Sequence, residues 1–205
     1  MSFVDEIFNL DGKVAAAIGA GGVLGGAMAM GLSQAGARVA ILDMNMENAE
    51  KTATLIKRDH NGEALPVQVD ATNKEDVQNA LNRIISEWGR IDILINAPGI
   101  NSATKFLDIS EDEWENILRV NLKSMFLACQ VFGKRMIEQN EGGSIINISS
   151  VSSGPPLSKV FTYSISKAGV NNLTRFLARE WATHKIRVNA LAPGFFPAEQ
   201  NRKIL

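Results

Sequence analysis

Cysteine and tyrosine each occur once in this chain, and histidine only twice. A single cysteine, Cys129, excludes an internal disulfide. It sits in an apolar helical pattern and reads as a small core residue rather than a nucleophile. His60 and His184 stand apart from acidic or cysteine partners, so no metal-ligand constellation is visible. Neither charge sign dominates: 21 basic against 22 acidic residues leave a formal net charge of −1. That balance gives no support for a nucleic-acid partner or an anionic membrane surface. No apolar run approaches membrane-spanning length. The first residues, Met1 to Phe8, are acidic and have no long apolar centre, unlike a signal peptide. A cytoplasmic location is the default expectation. Repeats, low-complexity stretches and linkers are also missing, and 205 residues suit one domain of ordinary size spanning 1–205.

What is present is a regular alternation of strand and helix patterns. Val14 to Ile18, Arg38 to Leu42, Ala64 to Val69, Ile91 to Ile95, Ser144 to Ile148 and Arg187 to Leu191 are short apolar runs read as strands. Helical patterns lie between them: from the Gly-rich stretch through Leu32, Met46 to Arg58, a helix capped by Thr72 and running to Trp88, a long region to about Glu138, and Thr162 to His184. Ser110-Glu111-Asp112-Glu113 has the form of a capping box. A break is expected near Val120-Asn121. Near-continuous apolar strands alternating with helices predict a parallel sheet covered on both faces. The fold class is therefore α/β, a doubly wound sheet of order 3-2-1-4-5-6.

Two clusters stand out chemically. The first strand runs into Gly19-Ala20-Gly21-Gly22-Val23-Leu24-Gly25-Gly26, five glycines in eight residues before a helix. That context suits phosphate, because backbone N–H groups and the positive helix end face the ligand. Asp43 ends the second strand about twenty residues further on, where a carboxylate can bind both ribose hydroxyls and repel a 2′-phosphate. Ala20, Gly21 and Gly22 bring no cation to offset that repulsion, so NAD is expected rather than NADP. A capping or loop role is the competing reading of Asp43. Asp70 ends the third strand and either meets an adenine amino group or caps the helix that follows.

The second cluster is Ser150 to Lys167. Tyr163 and Lys167 are spaced i, i+4 and leave one face of a helix. A phenol with an ordinary pKa of ~10 is a poor base at neutral pH, and a neighbouring ammonium favours the phenolate. Ser150 lies upstream, just past an apolar strand. Ser149 takes its place if the strand register differs by one, since neighbours point to opposite faces.

The Gly-rich loop, Asp43, Asp70, Asn96-Ala97-Pro98-Gly99, Asn121, Ser150 and Tyr163-x-x-x-Lys167 together resemble the short-chain dehydrogenase/reductase family, in its order and over nearly the whole chain. The resemblance implies a Rossmann-type fold and an oxidoreductase. Its catalytic residues would be Asn121, Ser150, Tyr163 and Lys167. Tyr163 would be the general acid/base, Lys167 would lower its pKa and hold the nicotinamide ribose, and Ser150 would bond the substrate oxygen. Asn121 would hold a water linking Lys167 to solvent, and it also reads as a kink residue.

The resemblance further implies cofactor contacts from Gly19, Gly22, Val23, Leu24, Gly25, Asp43, Asp70, Ala71, Asn96, Ala97, Gly99, Tyr163, Lys167, Pro193 and Gly194. Ser152, Lys159, Asn101 and Phe195 are candidate substrate-pocket residues, with a solvated loop lysine as the other reading of Lys159. Val23 departs from the pattern where a middle glycine is usual, and Pro98 removes an N–H from the turn after the fourth strand. Family members usually continue past the position of Leu205 with a substrate-covering segment and a seventh strand, so the latter is expected to be absent. Within the family, the tail from Ala192 to Arg202 is similar to sugar-acid oxidoreductases acting on mannonate, fructuronate or gluconate.

The expected function is NAD-dependent hydride transfer to or from a small sugar acid or polyol. Reduction of a 3-oxoacyl thioester and a non-catalytic nucleotide-binding role are the alternatives. The resemblance implies a homodimer formed through the long central helix and the helix carrying Tyr163, with a tetramer less expected.

Overall fold

In a computed structural model, residues 7–155 and 159–195 are described. Six parallel strands form one sheet: β1 (Val14–Ile18), β2 (Arg38–Asp43), β3 (Ala64–Gln68), β4 (Ile93–Asn96), β5 (Gly143–Ile148) and β6 (Ile186–Leu191). Their order is β3-β2-β1-β4-β5-β6, as the alternation of patterns predicts. The helices are α1 (Val23–Gln34), α2 (Met46–His60), α3 (Lys74–Trp88), α4 (Glu111–Leu118), α5 (Ser124–Gln139) and α6 (Phe161–Glu180).

β1 shows why the sheet is covered on both sides. All five of its residues are buried. Val14, Ala16 and Ile18 join one apolar cluster with Val77, Leu81 and Ile84 of α3 and Phe132 and Met136 of α5. Ala15 and Ala17 join the other, with Ala29 of α1 and Ala49, Ala53 and Ile56 of α2. Successive residues of a strand point to opposite faces, so an unbroken apolar run belongs between two helical layers.

Several local details differ from the sequence reading. β4 begins at Ile93, and Asp92 before it is an anchor: its carboxylate accepts from Val14 N at 2.9 Å and from Arg90 Nε at 2.8 Å. Asn73, not Thr72, caps α3 by accepting from the N–H groups of Glu75 and Asp76. Thr72 instead donates its hydroxyl to Asp70 at 2.8 Å. The capping box at Ser110 is half formed. Ser110 accepts from Glu113 N at 3.1 Å, but the Glu113 carboxylate turns to Ser102 and Thr104 at 2.7 and 2.8 Å. The expected break at Val120-Asn121 is a single π-helical turn, Arg119–Lys123, between α4 and α5. The last helix ends at Glu180, and a 3₁₀ turn, Ala182–His184, leads to β6.

The winding reverses direction between β1 and β4, which are neighbours. Beyond their carboxyl ends the connections part to opposite faces, leaving a crevice. Most of the residues singled out for chemistry follow a strand end or sit on the first turns of the helix beyond it; Asn96 lies in β4 itself and Asn121 between α4 and α5.

Candidate active site

The crevice is a cleft of about 810 Å³ that runs from the Gly-rich loop to the start of α6. Gly19, Gly22, Val23, Leu24, Gly25 and Asp43 line one end, with Asp70, Ala71 and Thr72 beside them. Ser150, Tyr163 and Lys167 line the other, with Ala97, Gly99, Pro193, Gly194 and Phe195 along the way.

The loop is built by close approach. Gly19 has φ of +74°, and a methyl group there would come within 2.9 Å of the Ala97 carbonyl group. A methyl on Gly25 would run into the Gly19 oxygen. On Gly21 it would stand 2.6 Å from Asn48 Cβ and 2.8 Å from the Asp43 carboxyl. The steric need for glycine thus lies at these three positions. Val23 is the first residue of α1 and 58% exposed, so its side chain projects into the opening without crowding the turn. Gly22, the N-cap of α1, provides no side-chain cap for the helix amides. These free N–H groups and the bare glycine cradle fit the pyrophosphate of a dinucleotide.

Asp43 fastens this end. One carboxylate oxygen accepts from Gly21 N at 2.9 Å and the other from Asn45 N at 3.0 Å. Each oxygen retains lone-pair capacity toward the cleft. The loop reading and the ribose reading of Asp43 are therefore compatible. Asp70 accepts from Thr72 N and from its hydroxyl, both at 2.8 Å, while lining the cleft.

At the reactive end, β5 delivers Ser149 and Ser150 in succession. Ser149 donates to the Lys167 backbone carbonyl at 3.2 Å, which ties its hydroxyl to α6. Ser150 faces the phenol of Tyr163, near enough to favour its ionised form. Both serines line the cleft, but the Ser149 hydroxyl is spent on Lys167 O, which leaves Ser150 to act on the phenol. Lys167 is only 3% exposed and donates to Ile148 O at 2.8 Å. Its ammonium lies 5.6 Å from the centre of the Tyr163 ring. Burial pushes the Lys167 pKa down to about 8. Burial also raises the Tyr163 phenol, opposed by the Ser150 hydroxyl. Loss of solvation by both groups therefore works against the lowering of the phenol expected from Lys167.

Asn121 sits in the π turn and is fully buried. Its amide pins Ile100 from both sides, accepting from Ile100 N at 2.8 Å and donating to Ile100 O at 3.0 Å. It also donates to Ser166 Oγ at 3.1 Å, so both its N–H donors are occupied. A methyl on Gly99 would stand 3.5 Å from Lys167 Nζ and 3.7 Å from Asn121 Oδ1, so the bare Gly99 Cα keeps a gap open between the two.

Three expected contacts fall elsewhere. Asn96 is completely buried, and its amide donates to Asn147 Oδ1 at 2.8 Å inside the sheet. It shares that network with Cys129, whose thiol is pushed up to about 12 by burial. Ser152 lies behind Ser150 and donates to it at 3.0 Å. Lys159 is exposed and does not line the cleft. Conversely Met44, Asn48, Ile100, Val120, Ser124 and Val160 line the cleft without having been singled out. Asn48 lies in the first turn of the helix beyond a recognised strand end and Ser124 one helical turn from Asn121, and only that proximity could have marked them.

The chain matches the short chain dehydrogenase family over residues 13–205. It is 36% identical over 199 residues to the 2-dehydro-3-deoxy-D-gluconate 5-dehydrogenase of Escherichia coli (strain K12), a match covering 96% of this chain and 77% of that one. It is 37% identical over 203 residues to the D-threitol dehydrogenase of Mycolicibacterium smegmatis, covering 98% and 76%. The crystal structure of a short-chain type dehydrogenase/reductase from Mycobacterium marinum superposes with a TM-score of 0.94 at 34% identity, covering 99% of this chain and 80% of that one. The protein belongs to the short chain dehydrogenase family and is an oxidoreductase; the family works with NAD(H) or NADP(H).

Proposed function

We propose that this protein is an NAD-dependent dehydrogenase that interconverts a secondary alcohol and a carbonyl on a small polar substrate, a polyol or sugar acid. The observation that carries the reading is the convergence of Ser150, Tyr163 and Lys167 in one cleft with the glycine cradle and Asp43. NAD is favoured over NADP by charge. Asp43 stands at the ribose end, and Lys167, at the far end, is the only lysine or arginine among the described cleft-lining residues. A 2′-phosphate would face a carboxylate with no compensating cation. The similarity to a sugar-acid and a polyol dehydrogenase supports the substrate class.

A bound nicotinamide dinucleotide supplies the hydride donor or acceptor. Tyr163 takes the proton from the substrate hydroxyl during oxidation, or gives it during reduction. Ser150 donates a hydrogen bond to the substrate oxygen, where negative charge develops. Lys167 keeps two of its three donors free after bonding Ile148 O, enough to hold a ribose hydroxyl and a water. Asn121 keeps that water's place by holding Ile100 and the π turn in register.

The test is a spectrophotometric screen of the 205-residue chain with NAD and NADP against polyols, sugar acids and 3-oxoacyl thioesters. Turnover of a polyol or sugar acid, at least tenfold faster with NAD, is the expected result. Turnover restricted to oxoacyl thioesters would replace the substrate class. NADH binding without turnover on the whole panel would make the protein a nucleotide-binding module.

A further inference from the structure

Ser150 is held from behind by a second serine. The hydroxyl of Ser152 donates to Ser150 Oγ at 3.0 Å, and the backbone N–H of Ser152 donates to the same oxygen at 3.2 Å. A serine hydroxyl has one donor and two acceptor lone pairs. Both lone pairs of Ser150 are therefore filled from within the protein. We propose that Ser152 is a positioning residue that commits the Ser150 O–H to point at Tyr163 and the substrate oxygen. The inference rests on the dehydrogenase reading above.

The direction of the chain follows from chemistry at its front end. A phenolate, or an oxygen gathering negative charge, can only accept. Ser150 must then donate forward, and the two donors from Ser152 are what its lone pairs need. With Ser152 as acceptor instead, the Ser150 proton would turn backward and leave the reacting oxygen without a donor. Ser152 is 4% exposed, so no bulk solvent competes for its hydroxyl.

The turn Val151–Ser153, capped by Ser150, is closed by one internal bond and tied to its surroundings at two points. Val151 N donates to Pro193 O at 3.2 Å, and Ser153 N to Ser150 O at 3.1 Å. Asn171 of α6 donates to Ser153 Oγ at 2.8 Å. The helix that carries Tyr163 and Lys167 thereby also sets the position of the serine pair.

Ser152→Ala removes one of the two donors to Ser150 and leaves the other. The expected result is a five- to fifty-fold fall in kcat with the Kd for NADH within twofold of wild type. In the oxidation direction the rising limb of the pH–rate profile should move to higher pH, because a weaker donor stabilises the phenolate less. Ser152→Thr, which keeps the hydroxyl, should restore kcat to within threefold and return the limb to its place. Thermal melts accompany both variants. An unchanged kcat and pH limb in Ser152→Ala would overturn the proposal, as would a fall in kcat with no movement of the limb. If Ser152→Ala fails to fold, Ser152→Thr decides alone: a wild-type pH limb supports the proposal and a displaced one overturns it. Failure of the dehydrogenase reading is distinguishable, since wild type itself would then show no turnover in the screen.

Discussion

Lys167 is a nearly dry ammonium, and its protonation links activity to stability. Folded, it titrates at about 8, against 10.5 for an ordinary lysine. Between those values the unfolded chain carries more protons, so raising the pH favours the folded state. The destabilisation is complete below pH 8 and gone above 10.5, and its size is about 3 kcal/mol. Lys167→Met removes the charge but leaves Ile148 O without its donor, an opposing cost of about 1 kcal/mol. Chemical denaturation should find the inactive variant about 2 kcal/mol more stable than wild type at pH 7. That margin should shrink and reverse across pH 8 to 10.5, and a constant margin would show that Lys167 titrates normally. Tyr163 is exposed to a cleaner test, because the phenol oxygen bears on chemistry and not on binding. Tyr163→Phe should lower kcat by about 10²-fold or more while changing the NADH Kd, read by fluorescence, less than threefold. Comparable losses in both would remove Tyr163 from the acid/base role. Asp43→Asn keeps an acceptor for the loop amides and deletes the charge. The ratio of kcat/KM for NAD over NADP should fall by about tenfold, equivalent to 1.4 kcal/mol.

The elements explain why some departures from the family pattern are harmless. Glycine is required where an added methyl would have no room: at Gly19 and Gly25 against backbone, and at Gly21 against the Asn48 and Asp43 side chains. Gly25→Ala should weaken NADH binding by at least tenfold and destabilise the fold by about 1–3 kcal/mol, because the added methyl meets the Gly19 oxygen. Val23→Gly restores the commoner residue at an exposed first helical position, and should cost no more than about 1 kcal/mol with NADH affinity within twofold. Calorimetry and titration of the pair separate packing from composition. The π turn between α4 and α5 illustrates the same logic. One extra residue in the helix turns Asn121 inward, where its amide meets both backbone groups of Ile100.

At the scale of the molecule, α5 and α6 leave large apolar side chains on the surface. Phe126 is 47% exposed, Ile165 49% and Phe176 63%. Large apolar side chains exposed on helices flanking the sheet suit a second copy of the chain. Light scattering should show a dimer for wild type and a monomer for Phe176→Glu, with unchanged far-UV circular dichroism. A wild-type monomer at micromolar concentration would remove the homodimer from this reading. Among the described residues no helix is long and apolar enough to cross a membrane.

Periodicity and punctuation sufficed for the fold, since an apolar strand without alternation can lie only between two covering layers, and β1 to β6 follow in the predicted order. Spacing also sufficed for Tyr163 and Lys167, because a helix converts four residues into one face. Asn96 marks the limit. Its place in a motif suggested the cleft, yet a partner 51 residues away, Asn147, draws the side chain into the sheet. The choice between Ser149 and Ser150 likewise needed the register of β5 against α6. The direction of the Tyr163 shift required the burial of both groups, which no local pattern contains. Local spacing determines which side chains share a face. Solvation and hydrogen-bond partners depend on what packs opposite, and only the tertiary structure brings those distant segments together.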